Sequence, residues 1–218
     1  MMELEILSRA RGRKRDETTR KAILRAAYDI VAADGYRALT FEGVAARSGS
    51  GKTTIYRWWP TKAALATDAL LAELPPVAAF ERTGSAVQDL RLSLHVMAES
   101  LAGENGRVMA CILGGGREDA ETLRVYKEKI AGPRRDIGRE CLKTGILTGE
   151  IRADVDIDAA LDALYLPMFV KLIMGMGNIE TVWVDRLMDT VLKGIAGHPA
   201  EAHAIRPASA PSPVEVGR

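Results

Sequence analysis

The stretch TFEGVAARSGSGKTTIYRWWPTKAAL, residues 40–65, decides the fold. It predicts two short helices: FEGVAARS, which Thr40 is placed to cap, and KTTIYRWW, which ends before Pro60. Gly49 lies between them, where a tight turn needs a residue that tolerates positive φ. Two short helices joined in this way have the helix-turn-helix geometry.

The second of these helices presents hydrogen-bond donors on its outward face. Its outward residues, none of them a carboxylate, are Lys52, Thr53, Thr54, Tyr56 and Arg57. Such a face suits phosphates and the base edges of a DNA major groove. Lys62 adds a positive charge near the next helix N-terminus. Upstream, a flexible arm containing Arg13 and Lys14 is suited to phosphates or the minor groove.

Charge is distributed unevenly along the 218 residues, although the net charge is only +1. Residues 9–62 contain 13 lysines and arginines against five acidic residues, a local charge of +8. From Pro75 onward, 17 basic residues face 20 acidic ones, a charge of −3. A basic head on a slightly acidic body indicates that only the head binds a polyanion, here double-stranded DNA.

Helical periodicity in the rest of the chain predicts an all-α fold. A first helix is expected over Asp16–Ala33 and a fourth over Thr61–Leu74, with Thr61 as its cap. Further helices are expected over residues 87–101, 107–113, 118–130, 135–147, 157–176 and 181–195. The predicted divisions are a basic disordered arm (1–15), a three-helix helix-turn-helix DNA-binding domain (16–60), a linking helix (61–75), a helical effector-binding and dimerisation domain (76–197) and a disordered tail (198–218).

From about Arg20 to Leu65 the sequence resembles the TetR family of bacterial transcriptional regulators. The resemblance rests on Ile23-Leu24, Ala26-Ala27, Gly35, Thr40, Val44-Ala45, Gly49, Lys52, Thr54-Ile55-Tyr56, Trp58-Trp59, Lys62 and Leu65. It implies a homodimer, a palindromic operator, a ligand cavity in the C-terminal domain and a repressor. It also implies DNA contacts at Thr40, Lys52, Thr53, Thr54, Tyr56, Arg57 and Lys62. Ser50 and Thr53 depart from the family's usual Val and Gly. The first departure is expected to loosen the packing of the turn, and the second to add a base or phosphate contact, which leaves the operator sequence open.

Two other functions are compatible with parts of the sequence. Ala46–Thr53, ARSGSGKT, satisfies a relaxed phosphate-binding-loop pattern of nucleotide hydrolases. That mechanism needs a buried strand before the loop and an acidic strand later, and the sequence offers neither. The other alternative is a DNA-binding protein that responds to no effector.

The two helices predicted last are too apolar to face water, which indicates a four-helix bundle across a two-fold axis. The predicted dimer-interface residues are Leu161, Val184, Leu187, Met188 and Val191. A dimer reads a palindrome with two recognition helices about 34–36 Å apart.

Methionine and aromatic residues in the C-terminal half suggest adaptable walls for a small apolar or aromatic effector. The predicted cavity residues are Met97, Met109, Ile112, Tyr126, Tyr165, Met168 and Phe169, with Cys111 beside them. Residues of this kind at helical spacing are also typical of an ordinary core, and that interpretation stays open.

The remaining features predict neither catalysis nor a cofactor. Three histidines and two cysteines show no metal-ligand spacing, and no catalytic constellation appears. Cys111 and Cys141 are expected to be small buried residues in a reducing compartment. The basic N-terminus and the short apolar stretches predict a cytoplasmic protein that spans no membrane.

Overall fold

The computed structural model describes the backbone of residues 2–76, 81–115 and 119–193, with side chains from Asp16 onward. Ten α-helices lie within these ranges, together with a 3₁₀ turn at Tyr36–Ala38 and a π-helical turn at Lys127–Ala131. The helices are α1 (Met2–Asp34), α2 (Phe41–Ser48), α3 (Lys52–Trp58), α4 (Lys62–Glu73), α5 (Ala86–Leu101), α6 (Gly103–Gly115), α7 (Ala120–Tyr126), α8 (Gly132–Thr148), α9 (Ile157–Ile173) and α10 (Thr181–Lys193). None of them combines the length and the apolar character that crossing a membrane requires.

Local interactions set both ends of α2 and the start of α4. Thr40 Oγ1 accepts a hydrogen bond from the Gly43 amide at 3.0 Å, and Thr61 Oγ1 accepts one from the Ala64 amide at 3.1 Å. Each such cap stabilises a helix by about 1 kcal/mol. Gly49 ends α2 with φ of 68°, the left-handed conformation that favours glycine. These three predictions are confirmed.

Helices α1 to α4 share one core. Ile23 and Ala27 of α1, Val44 of α2 and Ile55 of α3 are completely buried, and Trp59 closes the core beside Leu65 of α4. Helix α1 contacts both α2 and α4, and α2 contacts α3, while α1 and α4 also contact α6.

Several predicted boundaries are wrong. Helix α1 begins at Met2 rather than near Asp16, so the backbone of residues 2–15 is helical where we predicted a disordered arm. Glu, Leu, Arg and Lys dominate this segment, and all four have high helix propensity. The side chains of residues 1–15, including Arg13 and Lys14, and the predicted tail at 198–218 lie outside the described residues.

Helix α6 also differs from the prediction, since it begins at Gly103 and continues through Gly114 to Gly115. The helices expected over residues 118–130 and 135–147 are not separated by a break. The π-helical turn carries the chain from α7 into α8 without an interruption, and Pro133 lies in the first turn of α8. Pro133 directly follows the π-helical turn, where the regular α-helical hydrogen bonding is already altered.

Helix α10 is held to α5 by ion pairs. Arg91 of α5 contacts Asp185 at 2.7 Å and Asp189 at 2.9 Å, and His95 Nε2 lies 2.8 Å from Asp185. The guanidinium of Arg91 lowers the pKa of both carboxyls by hydrogen bonding to them. The apolar side of α10 therefore faces its own chain.

This packing corrects part of the predicted dimer interface. Leu161, Val184 and Met188 are completely buried in the chain's own core, so they cannot contact a partner's surface. Leu187 and Val191 are half-buried. The prediction failed because periodicity identifies an apolar face without saying which helix covers it. The exposed apolar face lies instead on α9, where Leu166, Val170 and Ile173 follow one side.

Glu150 completes the N-terminus of α5 from a distant part of the chain. Its carboxylate accepts hydrogen bonds from Ser85 Oγ at 2.6 Å and from the Ala86 amide at 3.0 Å. These bonds, with those from the Val87 amide and Thr148 Oγ1, lower the pKa of Glu150 to about 2. The carboxylate also suits the positive end of the helix.

We expect this contact to make stability depend on pH. Because the pKa is lower in the folded chain, the stabilisation is complete above the ordinary glutamate pKa and is lost as pH falls toward 2. Urea unfolding of wild type and Glu150→Gln between pH 2 and 6 measures it. The difference between the two proteins should shrink steadily below pH 4.5. A difference independent of pH would contradict this role for the carboxylate.

Candidate DNA-binding surface and effector cavity

Helix α3 presents the predicted recognition face. Ile55 is completely buried against the core, which turns Lys52, Thr53, Tyr56 and Arg57 outward and leaves them exposed. Thr54 is half-buried. Four of the five predicted donors of this helix therefore lie on one accessible surface.

Aromatic packing fixes two of these donors. The Tyr56 ring stacks on Phe41 of α2 with centroids 4.3 Å apart, while 49% of Tyr56 stays exposed. The Arg57 guanidinium lies 5.5 Å from the centroid of the Trp58 ring. Both side chains are thus held by flat surfaces that leave their polar ends available.

An acidic side chain that the sequence analysis did not include reaches this surface. Glu42 of α2 contacts Lys52 Nζ at 2.9 Å. The hydrogen bond between them lowers the pKa of Glu42 and raises that of Lys52. Glu42 and Lys52 lie on different helices on either side of the turn. The sequence does not predict their contact, because it depends on the angle between α2 and α3. A phosphate that binds Lys52 has to compete with this carboxylate.

Thr40 and Lys62 both have contacts within the chain. The Thr40 hydroxyl caps α2 and is exposed. The Lys62 ammonium lies 4.4 Å from the centroid of the Tyr36 ring and donates to the Arg37 carbonyl at 3.3 Å. Burial lowers the pKa of Lys62. A phosphate contact by Lys62 stays a prediction, and it requires this ammonium to turn away from Arg37.

A cavity of about 610 Å³ opens among helices α5 to α9 and the π-helical turn between α7 and α8. Four of the predicted residues line it: Met97, Tyr126, Tyr165 and Phe169. The Tyr126 and Phe169 rings meet edge to face, 6.1 Å apart. Met109, Ile112 and Met168 do not line it and are buried in the core instead. Cys141 is buried as expected, but Cys111 is exposed, so that part of the prediction is wrong.

None of the cavity's remaining wall was predicted from the sequence. That wall consists of Leu113, Leu123, Lys127, Ala131, Gly132, Arg134, Arg135, Leu166 and Ile173. Arg134 is the unusual member, because it is charged yet only 5% exposed. The doublet Arg134-Arg135 in an otherwise amphipathic helix was the available signal. Periodicity alone would have placed both residues in solvent.

Two family models together match most of the chain. A model described as "Tetracyclin repressor-like, C-terminal domain" matches residues 80–191. A second, described as "Bacterial regulatory proteins, tetR family", matches residues 23–69. The chain belongs to the TetR family.

Individual relatives of this TetR-family regulator agree over most of their length. It is 35% identical over 185 residues to the HTH-type transcriptional regulator YdeS of Bacillus subtilis, covering 85% of this chain and 93% of YdeS. It is 27% identical to the DNA-binding transcriptional repressor TetR of Mycobacteroides abscessus, covering 82% and 94%. The crystal structure of the TetR family transcription regulator SCO0332 superposes with a TM-score of 0.67 at 30% identity, covering 82% of this chain and 99% of the other. The chain is therefore a DNA-binding transcriptional regulator.

The phosphate-binding-loop pattern falls within the helix-turn-helix of this TetR-family regulator. Ala46–Ser48 end α2, Gly49 makes the turn, and Lys52 begins α3. A phosphate-binding loop follows a buried strand, whereas a helix precedes this segment. The hydrolase alternative has no structural basis here.

Asp68 of α4 joins the DNA-binding unit to the cavity wall. It accepts a hydrogen bond from Trp59 Nε1 at 2.9 Å and pairs with Lys129 Nζ at 2.6 Å. Arg20 of α1 lies 3.6 Å away on the same carboxylate. Lys129 belongs to the π-helical turn, whose Lys127 and Ala131 line the cavity.

Proposed function

We propose that this TetR-family regulator is a ligand-responsive repressor that binds a palindromic operator as a homodimer. The observation that carries the proposal is the physical link from cavity to recognition helix. The π-helical turn lines the cavity, its Lys129 pairs with Asp68 of α4, and Asp68 bonds Trp59 directly after α3. Turns of this π type occur frequently at functional sites.

The dimer half of the proposal is supported by the exposed side of α9. Leu166, Val170 and Ile173 are each about half exposed, and they lie on one side of the helix with the small Ala163. Contiguous apolar surface of this kind marks an interaction site. Val182 of α10 is 62% exposed, and Leu187 and Val191 stay candidate interface residues on the same helix. Two copies packed on this face form a four-helix bundle.

Ligand response follows from differential affinity. A ligand that prefers one arrangement of the cavity wall moves the π-helical turn, and through Asp68 it shifts α4. The spacing of the two recognition helices then no longer matches the half-sites. The ligand changes the equilibrium only to the extent that it binds one arrangement more tightly. Repression, rather than activation, is supported by the M. abscessus relative, which is named a repressor.

The DNA-binding part is tested with Arg57→Ala. Fluorescence anisotropy of labelled DNA from upstream of the protein's own gene should show binding tighter than to a scrambled competitor by about 10³-fold or more. Loss of the Arg57 contact should cost about 1–3 kcal/mol, which is about 5- to 150-fold in affinity.

Arg152→Ala is the matched control, because it removes an exposed arginine of the C-terminal body, 74% exposed, from outside the DNA-binding unit. Its affinity should equal that of wild type. Binding that depends on salt but is indifferent to both sequence and Arg57 would contradict specific readout by α3. An operator affinity that no cavity ligand changes would favour an effector-independent DNA-binding protein.

A further inference from the structure

Arg134 is a buried charge with almost no compensation. Only 5% of the residue is exposed, and its Nη1 donates to the Ile130 carbonyl at the long distance of 3.5 Å. Its Nη2 has no hydrogen-bond partner among the described residues. Burial lowers the pKa of Arg134. An unpaired buried charge is costly, so such groups are normally paired with a counter-ion.

The neighbouring arginine shows what the chain supplies when a counter-ion is intended. Arg135 contacts Asp162 at 2.7 Å and Asp158 at 3.7 Å. Two adjacent arginines on α8 thus differ sharply: the more exposed one has two carboxylates and the buried one has none.

The cavity around Arg134 also lacks negative charge. Its lining contains Lys127, Arg134 and Arg135 and no aspartate or glutamate. The Tyr165 hydroxyl donates to the Arg134 carbonyl at 3.1 Å, and the Tyr126 hydroxyl points to Met109 Sδ at 3.6 Å. The other lining side chains are apolar. The exposed wall of the cavity is therefore apolar, its charged lining residues are all basic, and the unpaired Nη2 of Arg134 is buried within the wall. A ligand can pair with this guanidinium once the Arg134 side chain turns toward the cavity.

We propose that the effector is an apolar carboxylate whose carboxylate group pairs with Arg134. This assignment rests on the proposed effector function of the same cavity. A guanidinium edge matches a carboxylate geometrically, and such charge-assisted bonds are about twice as strong as neutral ones. The volume of about 610 Å³ lies in the ordinary range for small-molecule sites. An aliphatic and an aromatic acid share this chemistry.

Displacement of the neutral fluorescent probe N-phenyl-1-naphthylamine from the full-length protein tests the proposal. The competitors are decanoate against decanamide, and 2-naphthoate against 2-naphthamide, so that each acid has a neutral counterpart of equal size. In wild type, one or both acids should displace the probe at a concentration about 10-fold or more below that of the amide, as expected for a hydrogen bond to a charged group. The pair that shows the larger ratio identifies the body as aliphatic or aromatic.

Two variants test whether Arg134 is responsible for the preference for acids over amides. Arg134→Met should bring the acid-to-amide ratio to about one while the probe still binds, since the Met side chain keeps the apolar volume. Lys143→Met removes the same charge from an exposed position of α8 that does not line the cavity, and it should keep the wild-type ratio. The thermal midpoint of ligand-free Arg134→Met should equal or exceed that of wild type, because an uncompensated buried charge is removed.

The possible negative outcomes of the displacement experiment contradict different parts of the proposal. If acids and amides displace the probe equally from wild type, the carboxylate assignment is wrong while the cavity remains a ligand site. If the probe does not bind wild type at all, the effector function of the cavity fails with it. If Arg134→Met keeps the preference for acids, the carboxylate does not pair with Arg134. The wild-type comparison needs no variant, so it decides the ligand class even if Arg134→Met unfolds.

Discussion

Val170→Glu is expected to give monomers at low micromolar concentration and to weaken operator binding by about 10³-fold or more. Val170 is 52% exposed in the centre of the apolar side of α9 and does not line the cavity. Two glutamates facing each other across a two-fold axis would place like charges in an apolar contact, which is strongly unfavourable.

A monomer should lose DNA affinity because it presents only one recognition helix to the operator. One recognition helix as short as α3 contacts few bases, whereas two on a palindrome act together. A monomer retains the sequence-independent phosphate contacts, whose dissociation constants are typically about 10⁻⁴–10⁻⁶ M at physiological salt. Specific dimers reach about 10⁻⁸–10⁻¹¹ M. The expected loss of affinity is the ratio between these two ranges of dissociation constants.

Size-exclusion chromatography with light scattering measures the oligomer, and anisotropy measures the affinity. Leu147→Glu is the matched control, since Leu147 is 88% exposed near the end of α8 and does not belong to the apolar side of α9. It should remain dimeric and bind the operator normally. A Val170→Glu dimer that persists at low micromolar concentration would exclude this face as the interface.

The helix-turn-helix could be predicted because its determinants are local. Thr40 and Thr61 cap the helices that directly follow them, and Gly49 supplies the one left-handed residue of the turn. Each of these interactions spans at most four residues. The local sequence is therefore sufficient to predict the helix boundaries in this segment. The family resemblance covers the same segment for the same reason.

The sequence of the C-terminal half predicts the helices but does not predict which of their faces are buried and which are exposed. Val184 and Val170 are both valines on apolar helices, yet the first is completely buried and the second is half exposed. The burial of Val184 depends on which side of α10 faces the chain's own core, and the ion pairs of Arg91 with Asp185 and Asp189 fix that side. Val170 lies on α9, on the side that stays exposed. These pairs join residues more than ninety positions apart. Periodicity describes one helix at a time and contains no such information.

Asp68→Ala is expected to lower the free energy of unfolding by about 2–3 kcal/mol, mainly because a buried donor loses its acceptor. Trp59 is 2% exposed, and its indole nitrogen donates to Asp68 at 2.9 Å. Lys129 contributes less, since its side chain is 41% exposed and the solvent screens its charge. Asp68→Asn is the conservative comparison: its amide oxygen can still accept from Trp59, so it should lose clearly less stability than Asp68→Ala. Chemical denaturation with Trp fluorescence as the signal measures both.

The carboxylate of Asp68 should also transmit the ligand signal from the cavity wall to α4. Lys129→Met tests this role separately from the role of Asp68 in stability. It breaks the contact of 2.6 Å between the cavity wall and α4 but leaves the Trp59 hydrogen bond intact. Operator affinity without ligand should therefore stay near wild type, whereas the weakening caused by a saturating cavity ligand should shrink. Lys143→Met removes the same charge from α8 outside the cavity wall and keeps the Lys129–Asp68 pair, so its response should be that of wild type. Because a ligand acts only through the difference between two arrangements, an unchanged response in Lys129→Met would mean that another contact distinguishes them. The hydrogen bond of 2.8 Å between Tyr36 and Thr122 of α7 would then be the next to remove.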